Sequence, residues 1–517
     1  MELPEWFSEF RPHQTVAIAQ IISAFKTHDV VMLDAPTGSG KTLIAEAVRQ
    51  IRQQQAIYVC VTKTLQDQFL GDYDYARVLK GRSNYPTELD EFSVGLTADD
   101  CTGNSCKFCP SACPYKVAKA NAVSAPVSVL NLSYVLREFQ TEGSSFKHYG
   151  LKILDECDRI EDILLGNASV TISDRSARKL RISPPEKKTV AESWLQWAEE
   201  TEIILEEYVY NLGRVYGSHK EAVRRRRWNR YVRGLYDKVH EIANDLQRGL
   251  EEGEDTWIYT GYDEGKIEFK PITVGKFGEK LLWKHGGKWL LMSGTIISPA
   301  VLANDIGLGD IGYKVVQVDY SFDADRRPVY LQPVGSMKRG SIEATKPKLK
   351  EKVVGIVKDN PSERILIHTH SYQLAREIYA ALASGNNLSR RTITYNSASE
   401  REKALSDYKS TEASVLVASS MDRGIDLPGE LCRVQIICKA PFPYLGDKQV
   451  NARTYGTSGG SLWYSVQTAR SIVQMTGRGM RSAEDNVVTY ILDDDVRRLI
   501  RQRRNLFPDW WLEALRI

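Results

Sequence analysis

The sequence is short of several features that would settle its class at once. It has no apolar run approaching the roughly 20 residues of a membrane span, and its first ten residues, MELPEWFSEF, lack the basic and apolar regions of a secretory signal. It has little net charge: 69 basic against 66 acidic residues leave +3, so any surface for a polyanion must be local. It has no internal repeat and no low-complexity tract. Cysteine is sparse, eight in 517 residues, yet four of the eight fall between Cys101 and Cys113. These absences argue against a membrane protein, a secreted disulfide scaffold and a repeat solenoid, and a reducing, cytoplasmic setting is expected. A chain this long exceeds one hydrophobic core and implies roughly two to four domains.

What is present is a nucleotide-binding pattern. Val30–Asp34 reads as a buried strand, followed by Ala35, Pro36, Thr37, Gly38, Ser39, Gly40, Lys41 and Thr42, then by the helical run 43–51. Strand, tight loop and helix in this order form a P-loop: the glycines let backbone amides close on phosphate oxygens, Lys41 brings a positive charge, and the Thr42 hydroxyl can reach a magnesium ion. Ala35 stands where the general pattern has Gly. A second apolar strand, 151–154, ends in Asp155 and Glu156, placing one acid to hold the metal and one to polarise water. Near the C-terminus, Gln474, Arg478 and Arg481 suit the charge that develops on a transferred phosphoryl group, and their distance from the P-loop implies a second lobe.

The cysteine run has the spacing C-x4-C-x2-C-x3-C-P over Cys101, Cys106, Cys109 and Cys113. Spacing alone leaves an iron–sulfur cluster, a zinc site and redox thiols all open. Cys60, Cys432 and Cys438 sit in apolar, β-rich runs and read as core, and Cys157 as a small apolar residue.

Taken in order, these motifs resemble a superfamily 2 helicase, and more narrowly the XPD/DinG group of iron–sulfur DNA helicases. The likeness extends from Arg11 and Gln14, similar to an adenine-reading element, through Thr62 and Gln66, then Ser293-Gly294-Thr295. It continues at Thr369, Ser371 and Tyr372, at the stretch 418–429 with Gly424 and Asp426, and at Pro441-Phe442-Pro443, a DinG-like segment. The resemblance implies ATP and Mg2+ as cofactors, with Gly424 and Asp426 at the nucleotide and Thr62, Gln66, Tyr85, Thr295, Ser371 and Tyr372 on DNA. It also implies one [4Fe-4S] cluster. Cys101, Cys106 and Cys113 resemble three of its ligands; Thr87 stands at the position of the first, and by counting Cys109 takes its place. Asp158 occupies a position where relatives commonly have His, and Asn131 lacks a following His, which implies looser coupling between hydrolysis and DNA, or coupling through other groups.

The expected fold is α/β, with two RecA-like motor domains of parallel sheet and flanking helices. Motor domain 1 comprises 1–79, 119–165 and 255–312, interrupted by a cluster lobe (80–118) and a helical arch (166–254); motor domain 2 spans 313–517. In the arch, Trp194, Trp197, Leu205, Tyr208 and Leu212 form a helical stripe that reads as core. The block Arg224–Arg233 reads either as a single-strand contact or as a solvated helix paired with acidic neighbours. The chain ends soon after Trp511, leaving little room for an accessory nuclease domain. The function this implies is an ATP-dependent, 5′→3′ DNA helicase acting as a monomer on single strands and duplex junctions, with no membrane. The alternatives are a nucleic-acid-stimulated ATPase that remodels nucleoprotein without unwinding, and a binding adaptor with a degenerate motor.

Overall fold

The structure is a computed structural model that describes residues 7–87, 96–101, 113–213, 220–261, 265–309, 311–319, 322–384, 388–419, 427, 429–480, 482 and 484–517. The first lobe begins with β1 (Val30–Asp34), β2 (Ala56–Cys60), β3 (Ala76–Leu79), β4 (Val127–Asn131) and β5 (Leu151–Asp155). Three strands then form a separate antiparallel sheet, β6 (Val170–Ser173), β7 (Trp257–Tyr259) and β8 (Lys266–Pro271), in the order β6-β8-β7. The first sheet is completed by β9 (Lys288–Ser293) and β10 (Tyr313–Gln317); its order is β10-β1-β9-β5-β2-β4-β3, and every pairing is parallel.

Strands buried on both faces must be apolar throughout, and these are. Val31 and Leu33 pack on one side with Ile44, Ala45 and Tyr58, while Val30 and Met32 pack on the other with Ile57, Val59 and Leu154. The sheet runs past the boundary expected at 312, because Tyr313–Gln317 pairs along the whole of β1. Likewise, 257–271 builds the small sheet at the root of the arch rather than the motor sheet.

The second lobe holds β11 (Val329–Gly335), β12 (Ile365–His368), β13 (Thr392–Thr394), β14 (Val415–Ala418), β15 (Val434–Ile437), β16 (Val488–Asp493) and β17 (Leu515–Arg516). Their order is β13-β14-β12-β15-β16-β11-β17, again parallel. Two doubly covered parallel sheets are the RecA-like pair expected. Among the described residues, no helix is long and apolar enough to cross a membrane.

The arch consists of two long helices, Ala191–Tyr210 and Lys220–Glu252, packed on each other. Trp194, Trp197 and Leu205 are buried there, and the Trp197 ring stacks on Phe269 of β8 at 4.6 Å. The arginine block takes a specific course. Arg227 makes a two-pronged ion pair with Asp100 at 2.6 and 2.8 Å, and Arg230 binds the Asp99 carboxylate at 2.6 Å. Trp228 donates to the Tyr208 hydroxyl at 3.1 Å and lies beneath the Lys179 amine. Two of the block's six arginines therefore tie the arch to the residues just before Cys101. The Arg227 guanidinium holds the buried Asp100 carboxyl below its usual range, helped by the Thr97 amide.

Replacing Arg227 with Ala leaves Asp100 only its contacts with Thr97. At about 1–2 kcal/mol for a charge-assisted bond pair of this exposure, deuterium exchange of residues 97–101 should quicken about ten-fold. Unchanged exchange would show that the ion pair does not hold the arch to this segment.

Candidate nucleotide cleft

In a parallel α/β sheet, ligands bind beyond the carboxyl ends of the strands, and register sets which ends coincide. Asp34 lies opposite Ser293, and Asp155 opposite Met292. The P-loop, the acidic pair and Ser293-Gly294-Thr295 therefore leave the sheet at one edge. Gly38 and Gly40 both have φ of 81°, the left-handed region that a phosphate-cradling loop requires. A Cβ on Gly40 would fall 2.4 Å from Gln14 Nε2 and displace that amide, and at this φ any side chain would be strained. The Gln14 amide donates to the Ser39 carbonyl at 3.0 Å and Arg11 donates to the Gly38 carbonyl at 3.2 Å. Both residues thus brace the loop from below.

The metal-side groups form a chain. The Tyr58 hydroxyl donates to Asp155 Oδ2 at 3.0 Å and lies 3.5 Å from the Thr42 hydroxyl. Burial raises the Asp155 carboxyl above the usual carboxylate range, against the pull of Lys41. Burial likewise raises Asp34 to about 6, where the Ile296 amide and Lys41 oppose it. Buried carboxylates beside a single lysine are a setting that a bound cation would relieve. Thr42 and Asp155 are suitable donors for magnesium, both being oxygen ligands. Glu156 follows with φ of 53° and ψ of 49°, a strained conformation for a non-glycine residue and the kind that clusters at functional sites.

The second lobe reaches this edge through the helix Gly460–Thr476. Gln474 Nε2 donates to Asp158 Oδ2 at 2.9 Å and to the Thr295 hydroxyl at 2.8 Å. The Ser293 hydroxyl donates to Asp158 Oδ1 at 2.7 Å. Asp158, standing where relatives carry His, thus bonds both the first lobe and the helix that precedes Arg478. Nothing in its sequence context signalled that role; only the fold brings 158, 293 and 474 together. Arg478 is buried just past the helix end, and Trp511 anchors that end by donating to the Thr476 hydroxyl at 2.8 Å. Arg481, Gly424 and Asp426 lie outside the described residues.

The residues expected on DNA are at strand ends of both lobes. The Thr62 and Ser371 hydroxyls accept the Leu65 and Leu374 amides, each at 3.3 Å, capping the helices that follow β2 and β12. Gln66 is buried. Tyr85 accepts the Lys80 amide through its hydroxyl at 3.0 Å and packs edge-on to Tyr115, and Tyr372 packs edge-on to Tyr395. Thr295 faces Gln474 at the seam between the lobes.

At the cysteine run, Cys101 and Cys113 are buried and unpaired by disulfide, while Cys106 and Cys109 lie outside the described residues. The Thr87 hydroxyl is 3.4 Å from Cys101 Sγ, which puts the position lacking a cysteine directly beside a remaining one. Among the described residues, no group of three His, Cys, Asp or Glu side chains is placed to hold a metal ion. Both described thiols are sulfur donors withdrawn from water. The other cysteines are inert core: burial pushes Cys432 up to about 12 and raises Cys60, Cys157 and Cys438.

With the geometry in place, the class is clear: a two-lobed RecA-type motor with a nucleotide cleft at the lobe seam. Residues 353–514 match the helicase C-terminal domain family, and residues 7–178 match the family described as type III restriction enzyme, res subunit. Among solved structures, the fold is similar to S. tokodaii Xpd4, with a TM-score of 0.59 at 15% identity over 98% of this chain and 99% of that one. It is also similar to an XPD helicase, with a TM-score of 0.62 at 17% identity over 97% and 98% of the two chains. No curated protein matches in sequence. The chain thus shares the fold of the XPD structures, and its second lobe matches a helicase C-terminal domain model.

Asp158→Ala should cost the Ser293 hydroxyl and the Gln474 amide one charged acceptor each, leaving both their contacts with Thr295. At about 1–3 kcal/mol for hydrogen bonds to a charged group, the first thermal transition should fall by a few degrees, given roughly 2–4 °C per kcal/mol for domains of this size. An unchanged transition would mean that this contact contributes nothing to holding the lobes together.

Proposed function

We propose that the protein is an ATP-dependent DNA helicase that translocates 5′→3′ on a single strand and unwinds the duplex ahead. The observation that carries this reading is the seam itself: P-loop, acidic pair and the Gln474 helix meet at one edge of a chain whose fold is XPD-like from end to end. On this reading Lys41 and the P-loop amides hold the triphosphate, Glu156 orients the attacking water, and Arg478 and Arg481 meet the charge developing on the γ-phosphate. On the same reading Gly424 and Asp426 would contribute to nucleotide binding. Thr42 and Asp155 would hold Mg2+, which when bound supplies charge neutralisation at the phosphates. Gln474 senses lobe closure through Asp158 and Thr295, so hydrolysis changes the grip on a strand held at the Thr62, Thr295 and Ser371 edges. Cys101, Cys106, Cys109 and Cys113 would hold a [4Fe-4S] cluster, supplying the fold energy that a lobe of some forty residues cannot obtain from its own core.

The test is ATP-driven strand displacement by anaerobically purified protein on duplexes with a 5′ or a 3′ single-stranded tail. The expected result is unwinding of the 5′-tailed duplex alone, abolished in Lys41→Ala. Stimulated ATP hydrolysis with neither duplex unwound would instead support a nucleoprotein remodeller.

Cys113→Ser should lose bound iron and unwinding while keeping part of the ATPase activity, since the cleft lies outside the cluster lobe. Full iron content in that variant, measured by chelation assay, would remove Cys113 from the ligand set.

A further inference from the structure

The helix that leads to Arg478 meets the first lobe along one complete face. Trp463, Gln467, Arg470 and Gln474 are spaced at i, i+4, i+7 and i+11, which aligns them on a helix side. Each donates across the seam. Trp463 Nε1 lies 3.0 Å from both Glu161 oxygens, and Gln467 Nε2 is 2.9 Å from Glu161 Oε2. Arg470 donates to the Asp158 carbonyl at 3.2 Å, and Gln474 to Asp158 and Thr295 as above.

A second pair closes the far end. Arg453 bonds Asp305, both buried, and its guanidinium lies 5.5 Å from the centre of the Trp463 ring. Gly460 makes this geometry possible: a Cβ there would fall 2.1 Å from the Arg453 carbonyl. Glu161 therefore receives three contacts from one helix of the other lobe and stands among Asp305, Arg453 and Arg470. Burial pushes its carboxyl up to about 7, with Asp305 adding to the rise and the Trp463 bond and two arginines opposing it.

None of the nucleotide-binding or phosphate-sensing motifs includes Glu161, Trp463, Gln467, Asp305 or Arg453. We propose that Glu161 is a positioning residue that seats the Gly460–Thr476 helix on the first lobe and so sets the register of Gln474 and Arg478 against Asp155 and Glu156. A rigid helix pinned at 463 and 467 cannot rotate about its axis or slide without moving 474, two turns further on. Its C-terminal end is fixed independently by Trp511. The seat is thus built of polar bonds that can open and reform as a unit, as a cycling interface requires.

The kinetic part of the test rests on the helicase reading; the structural part does not. Deuterium exchange over residues 460–476 should be compared in the full-length protein without nucleotide, for wild type, Glu161→Ala, Glu161→Gln and Trp463→Phe. Glu161→Ala should speed exchange across this helix about ten-fold. Glu161→Gln, whose amide oxygen still accepts the Trp463 and Gln467 donors, should restore most of the protection. Trp463→Phe, which keeps the ring but removes the donor, should give an intermediate effect. In ATP hydrolysis, Glu161→Ala should lower kcat about ten-fold while KM for ATP changes less than two-fold, since the P-loop is untouched. Exchange unchanged in both Glu161→Ala and Trp463→Phe would overturn the seat. So would a selective rise in KM with kcat intact. Faster exchange in a protein whose wild type hydrolyses no ATP would uphold the seat and refute the motor reading.

Discussion

The carboxylate of Asp158 is held by the Ser293 hydroxyl on one oxygen and the Gln474 amide on the other, and the working geometry of the cleft depends on it. Asp158 follows β5 within the acidic segment, Ser293 ends β9, and Gln474 belongs to the other lobe. One buried side chain therefore records whether two neighbouring strands of the first lobe and a helix of the second are in register. The strand alignment makes this possible. Because β1, β9 and β5 pair without bulges, Asp34, Ser293 and Asp155 reach the same edge, and everything chemical is suspended from that edge.

The lobe seam carries directional polar bonds beside its apolar contacts, where Ile297 and Val301 pack on the core of the second lobe. Apolar burial would hold the lobes more tightly at about 25 cal/mol per Å2, but it has no directional register and resists opening. Hydrogen bonds to charged acceptors contribute less net energy, because each exchanges for water on opening. They also demand a particular alignment when they reform. The pairs Glu161–Trp463, Asp305–Arg453 and Asp158–Gln474 thus sacrifice binding strength for a repeatable closed position. The buried Asp305–Arg453 pair has the same logic: its desolvation cost nearly cancels its attraction, so it specifies a geometry more than it stabilises one.

The fold was largely legible because its signals are local. Apolar strands followed by phosphate-binding or acidic turns announce themselves in a few consecutive residues, and their order along the chain gave two motor lobes with two insertions. What escaped were properties of pairs distant in sequence. Asp158 read as a departure implying looser coupling or coupling through other groups, and the structure shows it bonded to Gln474, 316 positions away. The Arg224–Arg233 block offered two readings, strand contact or a solvated helix paired with acidic neighbours. Arg227 and Arg230 do pair with acids, but with Asp100 and Asp99, 127 and 131 positions earlier. Glu161 carried no signal at all, since an acid in the first turn of a helix is ordinarily explained by the helix dipole. The boundary near 312 was misjudged for a related reason: β10 is a strand by pairing, and only its alignment with β1 assigns it to the first lobe.

The arch contact bears on how the insertions work with the motor. Asp99 and Asp100 precede Cys101 directly, and Arg82 in the same lobe donates to the Ala98 carbonyl at 3.0 Å and to the Cys101 carbonyl at 3.4 Å. The segment entering the cysteine run is therefore gripped from two sides, by the arch through Arg227 and by its own lobe through Arg82. The arch is rooted in turn on the β6-β8-β7 sheet, where Lys270 of β8 binds Asp447 of the second lobe at 3.2 Å and Gln449 donates to the Ile272 carbonyl at 3.0 Å. A continuous path of directional contacts thus runs from the second motor lobe through the small sheet and the long arch helix to the cysteine lobe. The two insertions are thus bonded to each other and, through the small sheet, to the second lobe.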